Sequence, residues 1–313
     1  MMVLLILQLL VPLAVLTWLA LGRGGTRVGW GLEILTAGLY VGAVALAGLW
    51  SVLPEFIPWA YVILFVLALR RSARVIAPRP DWPSTGRAWL GLGTRGALTA
   101  AVFALGVYVL GSRRAPDAPV VDLAFPLAGG TYYVANGGGR ELINSHLMTL
   151  EDDALRAWRG QSYGVDLLKV NRWGMRARGL RPGDPGRYLI FGDEVIAPCI
   201  GKVVSAVDGL PDLSPPSTDR EHMAGNHVVL ECGDVWVVLA HLREGSVCVR
   251  AGDPVRTGQR VGDVGNSGNS NEPHLHVHAQ RRGTPDAPLS GDPLVMRFAG
   301  RYLVRNDRVD TTR

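Results

Sequence analysis

The sequence predicts an α-helical, multi-span membrane region followed by a mainly β domain. Three observations carry this. The first third of the chain is almost entirely Leu, Val, Ala and Gly in long runs, whereas everything after about residue 112 has ordinary globular composition. From about residue 120, short apolar runs alternate with Gly, Pro, Asn and Asp turns. The stretch PHLHVHAQ, residues 273–280, sets His274, His276 and His278 at every second position, the period that puts side chains on one face of a strand. The expected division is a transmembrane region at 1–112, a linker at 113–122 and a domain at 123–313 with its core at about 160–290.

Four stretches are expected spans. Residues 2–21 carry no charge and are long enough to cross a bilayer, and they lack the basic leader of a signal peptide. Residues 34–53 are similar, 56–69 are short, and 96–111 follow Arg95, which can snorkel. Polar runs are missing from these stretches, so anchoring rather than transport is expected.

Arginine placement gives a topology. Arg23 and Arg27 lie between spans one and two, and Arg70, Arg71, Arg74, Arg79 and Arg87 between three and four. The short connection around Pro54 and Glu55 has no basic residue. The positive-inside rule then places both basic loops in the cytoplasm and the C-terminal domain outside, as in a multi-pass protein of the cell membrane. The net charge of +5 is accounted for in this way, and no arginine–aromatic interleaving points to nucleic acid. Three cysteines, Cys199, Cys232 and Cys248, have no C-x-x-C spacing, which argues against a cysteine-built zinc site and leaves one disulfide open.

In the C-terminal domain strands are expected at 195–206, 227–232, 235–240, 246–250 and 274–280, with a tight hairpin at Cys232-Gly233-Asp234. A short helix is expected at about 150–159, and 251–270 reads as a turn-rich loop leading to the histidine strand. Neutral imidazole is the commonest transition-metal ligand, so two histidines on one strand face could share a metal with ligands from elsewhere in the chain.

The order of A-H-L at 240–242, a V-x-x-G-x-x-V-x-x-G-Q run ending at Gln259, G-N-S-G at 265–268 and P-H-L-H at 273–276 closely resembles the LytM/lysostaphin-type M23 metallopeptidase domain. FGDEVIAPCIGKVVSAVDG at 191–209 is similar to that family's earlier strand pair. The resemblance implies an antiparallel-sheet peptidase fold, one Zn2+ ion, peptidoglycan peptides as substrate and a zinc-activated water as nucleophile. It implies Asp166 and His276 as zinc ligands, with His241 and His274 as catalytic histidines. Membrane spans would hold the domain against a lipid bilayer on the outer side. A degenerate domain that binds peptidoglycan or activates another hydrolase is the alternative.

One position departs from the family pattern. Ser162 stands where the first histidine ligand of H-x-G-x-D is expected, and a serine hydroxyl is a poor zinc ligand at neutral pH. Some relatives place an N-x-H upstream of Q-x-x-A/G-x-D, and this chain has Asn144-Ser145-His146 before Gln161 and Asp166. The resemblance to that variant makes His146 the expected third ligand. His278, His227 and His222 are expected outside the metal shell, with His278 as a solvated or outer-lying residue.

Overall fold

The computed structural model describes residues 2–284 and 287–312 and divides into two compact units, 1–49 with 55–111 and 50–54 with 112–313. The first unit is helical. It contains α1 (Val11–Ala20), continuous with a helical turn at Met2–Leu5 and a π-helical turn at Ile6–Leu10, then α2 (Arg27–Ala47), α3 (Ile57–Ile76) and α4 (Gly86–Ser112). Only α2 and α4 are long and apolar enough to cross a membrane by length and composition. Two of the four expected spans, those at 34–53 and 96–111, thus have candidate membrane helices among the described residues. The apolar helix Ile6–Ala20 is shorter, and α3 ends in Arg70, Arg71 and Arg74.

The expected span at 34–53 is also displaced. Thr26 caps α2 by accepting a hydrogen bond from the Gly29 amide, and the helix stops at Gly48, whose backbone is extended. Residues 50–54 instead join the second unit, where Trp50, Val52 and Leu53 are buried. The Trp50 amide donates to the Tyr133 hydroxyl at 2.9 Å, and the Arg176 amide donates to the Ser51 carbonyl at 3.0 Å. An apolar run read as lipid-facing is thus partly protein core. The earlier start of α2 brings Glu33 into the helix, where it is buried and paired with Arg95 of α4 at 3.2 Å.

The second unit is built on a ten-stranded sheet whose main path runs β12-β2-β3-β10-β7-β6-β5-β8, with β11 pairing β10 and β1. The strands are β1 (Val120–Leu123), β2 (Thr131–Asn136), β3 (Val165–Lys169), β4 (Glu194–Ile196), β5 (Gly201–Val207), β6 (Asn226–Cys232), β7 (Val235–Leu242), β8 (Pro254–Val255), β9 (Arg260–Asp263), β10 (Leu275–Gln280), β11 (Pro293–Phe298) and β12 (Arg308–Asp310). Within the large sheet the pairings are antiparallel except β1 with β11, while β4 and β9 form a small separate sheet. The turn-punctuated pattern predicts the β-rich content, and the antiparallel sheet is what the family resemblance implies.

Local differences have local causes. The expected strand 195–206 is split into β4 and β5 by a turn at 197–200, and 246–250 is irregular. The hairpin forms as expected: Gly233 takes φ +69, and β6 and β7 are joined by the two residues Gly233 and Asp234. The expected helix at 150–159 becomes α5 (Met148–Glu151) followed by 3-10 turns over Asp153–Tyr163.

The core fills one face of this sheet. Val165 and Leu167 of β3, Val228 and Leu230 of β6, Val237 and Leu239 of β7, and Leu275, Val277 and Ala279 of β10 point into it together. The other face of β10 carries His276, His278 and Gln280, which are buried too, because the 3-10 segment Asp153–Tyr163 packs over them. A central strand covered on both sides has no solvated face.

Cys199, in the turn after β4, and Cys232, at the end of β6, form a disulfide with their Cα atoms 6.0 Å apart, closing a loop of sequence separation 33. Replacing both by Ser is expected to cost about 3 kcal/mol of stability, mainly by freeing the unfolded chain. Urea unfolding in detergent checks this, and an unchanged midpoint contradicts it.

Candidate metal centre

Strand register assembles the centre. β3 and β10 pair so that Asp166 lies directly opposite His276. His146 arrives from the 3-10 turn Ser145–Leu147, and His241 stands at the end of β7. His274 immediately precedes β10. Ligand-capable atoms of His146, Asp166 and His276 lie within 4.8 Å of one another. Asp166 Oδ1 is 2.9 Å from His276 Nδ1, 3.4 Å from His146 Nε2 and 3.5 Å from His274 Nε2.

His146 and Asp166 are each oriented by a carboxamide behind them, and His276 by the His278 imidazole, which a carboxamide holds in turn. Asn144 donates through Nδ2 to the carbonyls of Gly138 and Gly164, so its Oδ1 is left to accept from His146 Nδ1 at 2.9 Å. His146 Nε2 is then bare. Arg305 donates to Asn136 Oδ1 at 3.0 Å, so Asn136 Nδ2 donates to Asp166 Oδ2 at 2.8 Å and leaves Oδ1 open. Gln280 donates through Nε2 to the Pro288 carbonyl at 2.7 Å, which turns its Oε1 toward His278 Nε2 at 3.3 Å. His278 must then donate from Nε2 and accept at Nδ1, where His276 Nε2 lies at 2.9 Å. His276 therefore carries its proton on Nε2, and its Nδ1 is bare.

Three bare acceptors thus converge on one point, with His276 Nδ1 and Asp166 Oδ1 facing each other lone pair to lone pair. A proton or a metal ion shared by the two atoms satisfies such a contact. Two imidazole nitrogens and one carboxylate oxygen are a catalytic-type donor set for zinc, with room for a non-protein fourth ligand, and outer hydrogen bonds of this kind hold metal ligands in register. The residues present fit the ion.

Electrostatics agree. Burial pushes the His146 imidazole down to about 4, against the opposing pull of Asp166. Burial alone would raise the Asp166 carboxyl, but His146, His274 and His276 together hold it well below the usual carboxylate range. Burial, reinforced by His274 and His276, keeps His241 well below an ordinary imidazole. At neutral pH the carboxylate is charged and these two imidazoles are neutral, the states a metal requires.

Two glycines make the crowding possible. A Cβ on Gly164 would lie 2.7 Å from His276 Cε1, and one on Gly160 would lie 1.6 Å from Gln280 Oε1. His241 itself sits at φ +62, uncommon for a non-glycine residue and a sign that surrounding structure holds it there. Its Nδ1 donates to the Ser267 carbonyl at 2.9 Å, and His274 Nδ1 donates to the Glu272 carbonyl at 2.8 Å. Both present Nε2 to a cleft of about 480 Å3 that His146, Asp166 and His276 also line.

The structure thus brings together all five expected site residues: His146, Asp166, His241, His274 and His276. Ser162 does not join them. It is fully buried, donates to the Arg159 carbonyl at 2.6 Å and pairs with the Thr149 hydroxyl at 2.9 Å. His227 hydrogen-bonds the Gly225 carbonyl, and His222 is exposed and paired with Asp219. Of the two expectations for His278, solvated or outer-lying, the structure matches the second: it is 3% exposed and bonds the distal nitrogen of His276. Changing His278 to Ala is expected to weaken zinc binding roughly 10–100-fold, the usual penalty for losing an outer partner of a ligand. A competition titration against a chromogenic chelator checks this, and wild-type affinity contradicts it.

Asn136, Asn144, Gln280 and Arg305 were not anticipated as orienting groups. Gln280 continues the two-residue period of the histidines and Asn144 lies two residues before His146, so both had a local signal. Asn136 and Arg305 had none.

Residues 190–288 match the model of peptidase family M23, a stretch that includes His241, His274 and His276 but not Asp166 or His146. A 67-residue segment is 39% identical to the peptidoglycan DD-endopeptidase ShyA of Vibrio cholerae, covering 21% of this chain and 15% of that protein's length. Among solved structures, the chain is similar to the catalytic domain of the antimicrobial peptidase lysostaphin from Staphylococcus simulans (25% identity, 40% of this chain and 71% of that one, TM-score 0.26). It is also similar to the catalytic domain of the prophage-encoded M23 protein EnpA from Enterococcus faecalis (30% identity, 33% and 75% coverage, TM-score 0.19).

Proposed function

We propose that the second unit is a zinc metalloendopeptidase that hydrolyses peptide bonds of bacterial peptidoglycan, held at the outer side of the cell membrane by its helical unit. The observation that carries this reading is the convergence of three ligand-capable atoms from His146, Asp166 and His276, each held from behind by a side-chain hydrogen bond, beside two further histidines. The match to peptidase family M23 and the likeness to an enzyme named as a peptidoglycan endopeptidase support the reaction and the substrate. Helices α2 and α4 support membrane attachment. The Cys199–Cys232 disulfide supports an oxidising compartment, in line with the arginine distribution.

Zinc, when bound, supplies Lewis acidity that polarises the scissile carbonyl and makes water a nucleophile at neutral pH. The chain's own residues do the rest. Ser267 and Glu272 hold His241 and His274 in tautomers whose Nε2 atoms are bare toward the cleft. An imidazole so held takes the proton of the attacking water, donates a hydrogen bond to the developing oxyanion, and returns the proton to the leaving amine. His146 takes the place that Ser162 cannot fill, so the serine does not count toward a degenerate domain. Incubating the full-length protein in detergent with peptidoglycan, with and without a chelator, tests the proposal. New amino termini that vanish with chelator and return with zinc are expected. Zinc-loaded protein that cuts nothing overturns the reading.

A further inference from the structure

Of the residues lining the cleft, Arg220 and Asp166 alone carry a fixed charge at neutral pH. Asp166 is committed, with Oδ2 bonded to Asn136 and Oδ1 facing the three histidines. Arg220 is not committed. It forms no ion pair with any described residue. Of the two acids that flank it, Asp219 is occupied elsewhere, its Oδ1 accepting from the Glu221 and His222 amides and its Oδ2 from His222 Nδ1, and the exposed Glu221 is not paired with it. A cation on the wall of a cleft with no ion-pair partner of its own is available to a ligand.

The loop that carries it is well held. The Asp219 amide donates to the Gly268 carbonyl at 2.9 Å, the Asn269 amide to Met223 at 3.1 Å, and the His241 amide to Ala224 at 3.0 Å. Further back, Asp212 accepts from the Asn266 amide and Asn226 from the Leu210 amide. The Arg220 backbone is therefore tied to the turn before the histidine strand and to His241 itself, which fixes its register against the reaction centre. The remaining walls offer carboxamides at Asn269, Asn271 and Gln161 for peptide groups and an apolar side at Leu155, Trp158 and Met148.

We propose that Arg220 is a specificity-determining residue that binds a free carboxylate on the substrate peptide, so that the cleft selects acidic peptide strands over neutral ones. Guanidinium pairs with carboxylate in a planar, two-point fork, and charge-assisted hydrogen bonds of this kind are about twice as strong as neutral ones. The inference rests on the peptidase reading for its substrate class, but the charge recognition is separable from cleavage.

The test uses soluble cross-linked muropeptides in two forms, one with free carboxylates and one with those carboxylates amidated. Equilibrium binding and kcat/KM are measured for full-length wild type, R220Q and R220K. Wild type is expected to bind the acidic form roughly 10-fold or more tightly than the amidated form, the worth of one charge-assisted contact. R220Q should erase that preference through KM with kcat nearly unchanged, and R220K should restore part of it. Equal wild-type affinity for both forms, or an R220Q protein that keeps the preference, overturns the proposal. Binding that depends on Arg220 without any cleavage would count against the peptidase reading alone.

Discussion

Changing His146 to Ala is expected to strip the protein of zinc, while changing Ser162 to Ala leaves zinc binding intact. A four-ligand structural zinc site is worth about 10–16 kcal/mol, or roughly 3–4 kcal/mol per ligand, so losing one of three protein ligands should weaken binding by about 100–1000-fold. Ser162 makes no such contribution, because its hydroxyl is spent on the Arg159 carbonyl and the Thr149 hydroxyl. His146 lines the cleft rather than the hydrophobic core, so its loss should leave the fold standing, as circular dichroism would report. Metal stoichiometry after dialysis against a weak chelator reads the result. Full zinc in H146A with loss in S162A would reverse the assignment.

Changing His241 to Ala should separate metal binding from chemistry. Zinc content is expected to be unchanged, because His241 lies outside the trio. Single-turnover cleavage is expected to fall about 100–10,000-fold, the range for removing a positioned general base. The wild-type imidazole stays neutral well below the usual range, since burial and the neighbouring His274 and His276 oppose its protonation. It therefore remains a competent proton acceptor in mildly acidic solution. Cleavage by H241A at the wild-type rate would remove this residue from the mechanism.

How much of this was legible in the sequence differs from element to element. The two-residue period of His274, His276 and His278 marks a strand, and the structure places His276 and His278 on β10. What the period could not say is that β10 lies between β3 and β7 with a 3-10 segment over its second face. That cover is why His278, read as solvated or outer-lying, is buried against His276. Motif order pointed to Asp166 and His276, and an N-x-H spacing pointed to His146. Asn136 and Arg305 carry no pattern, because they meet Asp166 only through the pairing of β2 with β3 and a bond from the far end of the chain. At the end of the second expected span, hydropathy alone treated residues 48–53 as lipid-facing. A run of apolar residues looks the same whether it meets lipid or protein, and here Trp50, Val52 and Leu53 meet protein.

The central claim is that His146, Asp166 and His276 form one zinc site. Anomalous diffraction at the zinc edge from crystals of the zinc-loaded protein tests it most directly. A single peak within bonding distance of His146 Nε2, Asp166 Oδ1 and His276 Nδ1 is the predicted result. A peak that leaves out His146, or that falls outside this trio altogether, would contradict the account.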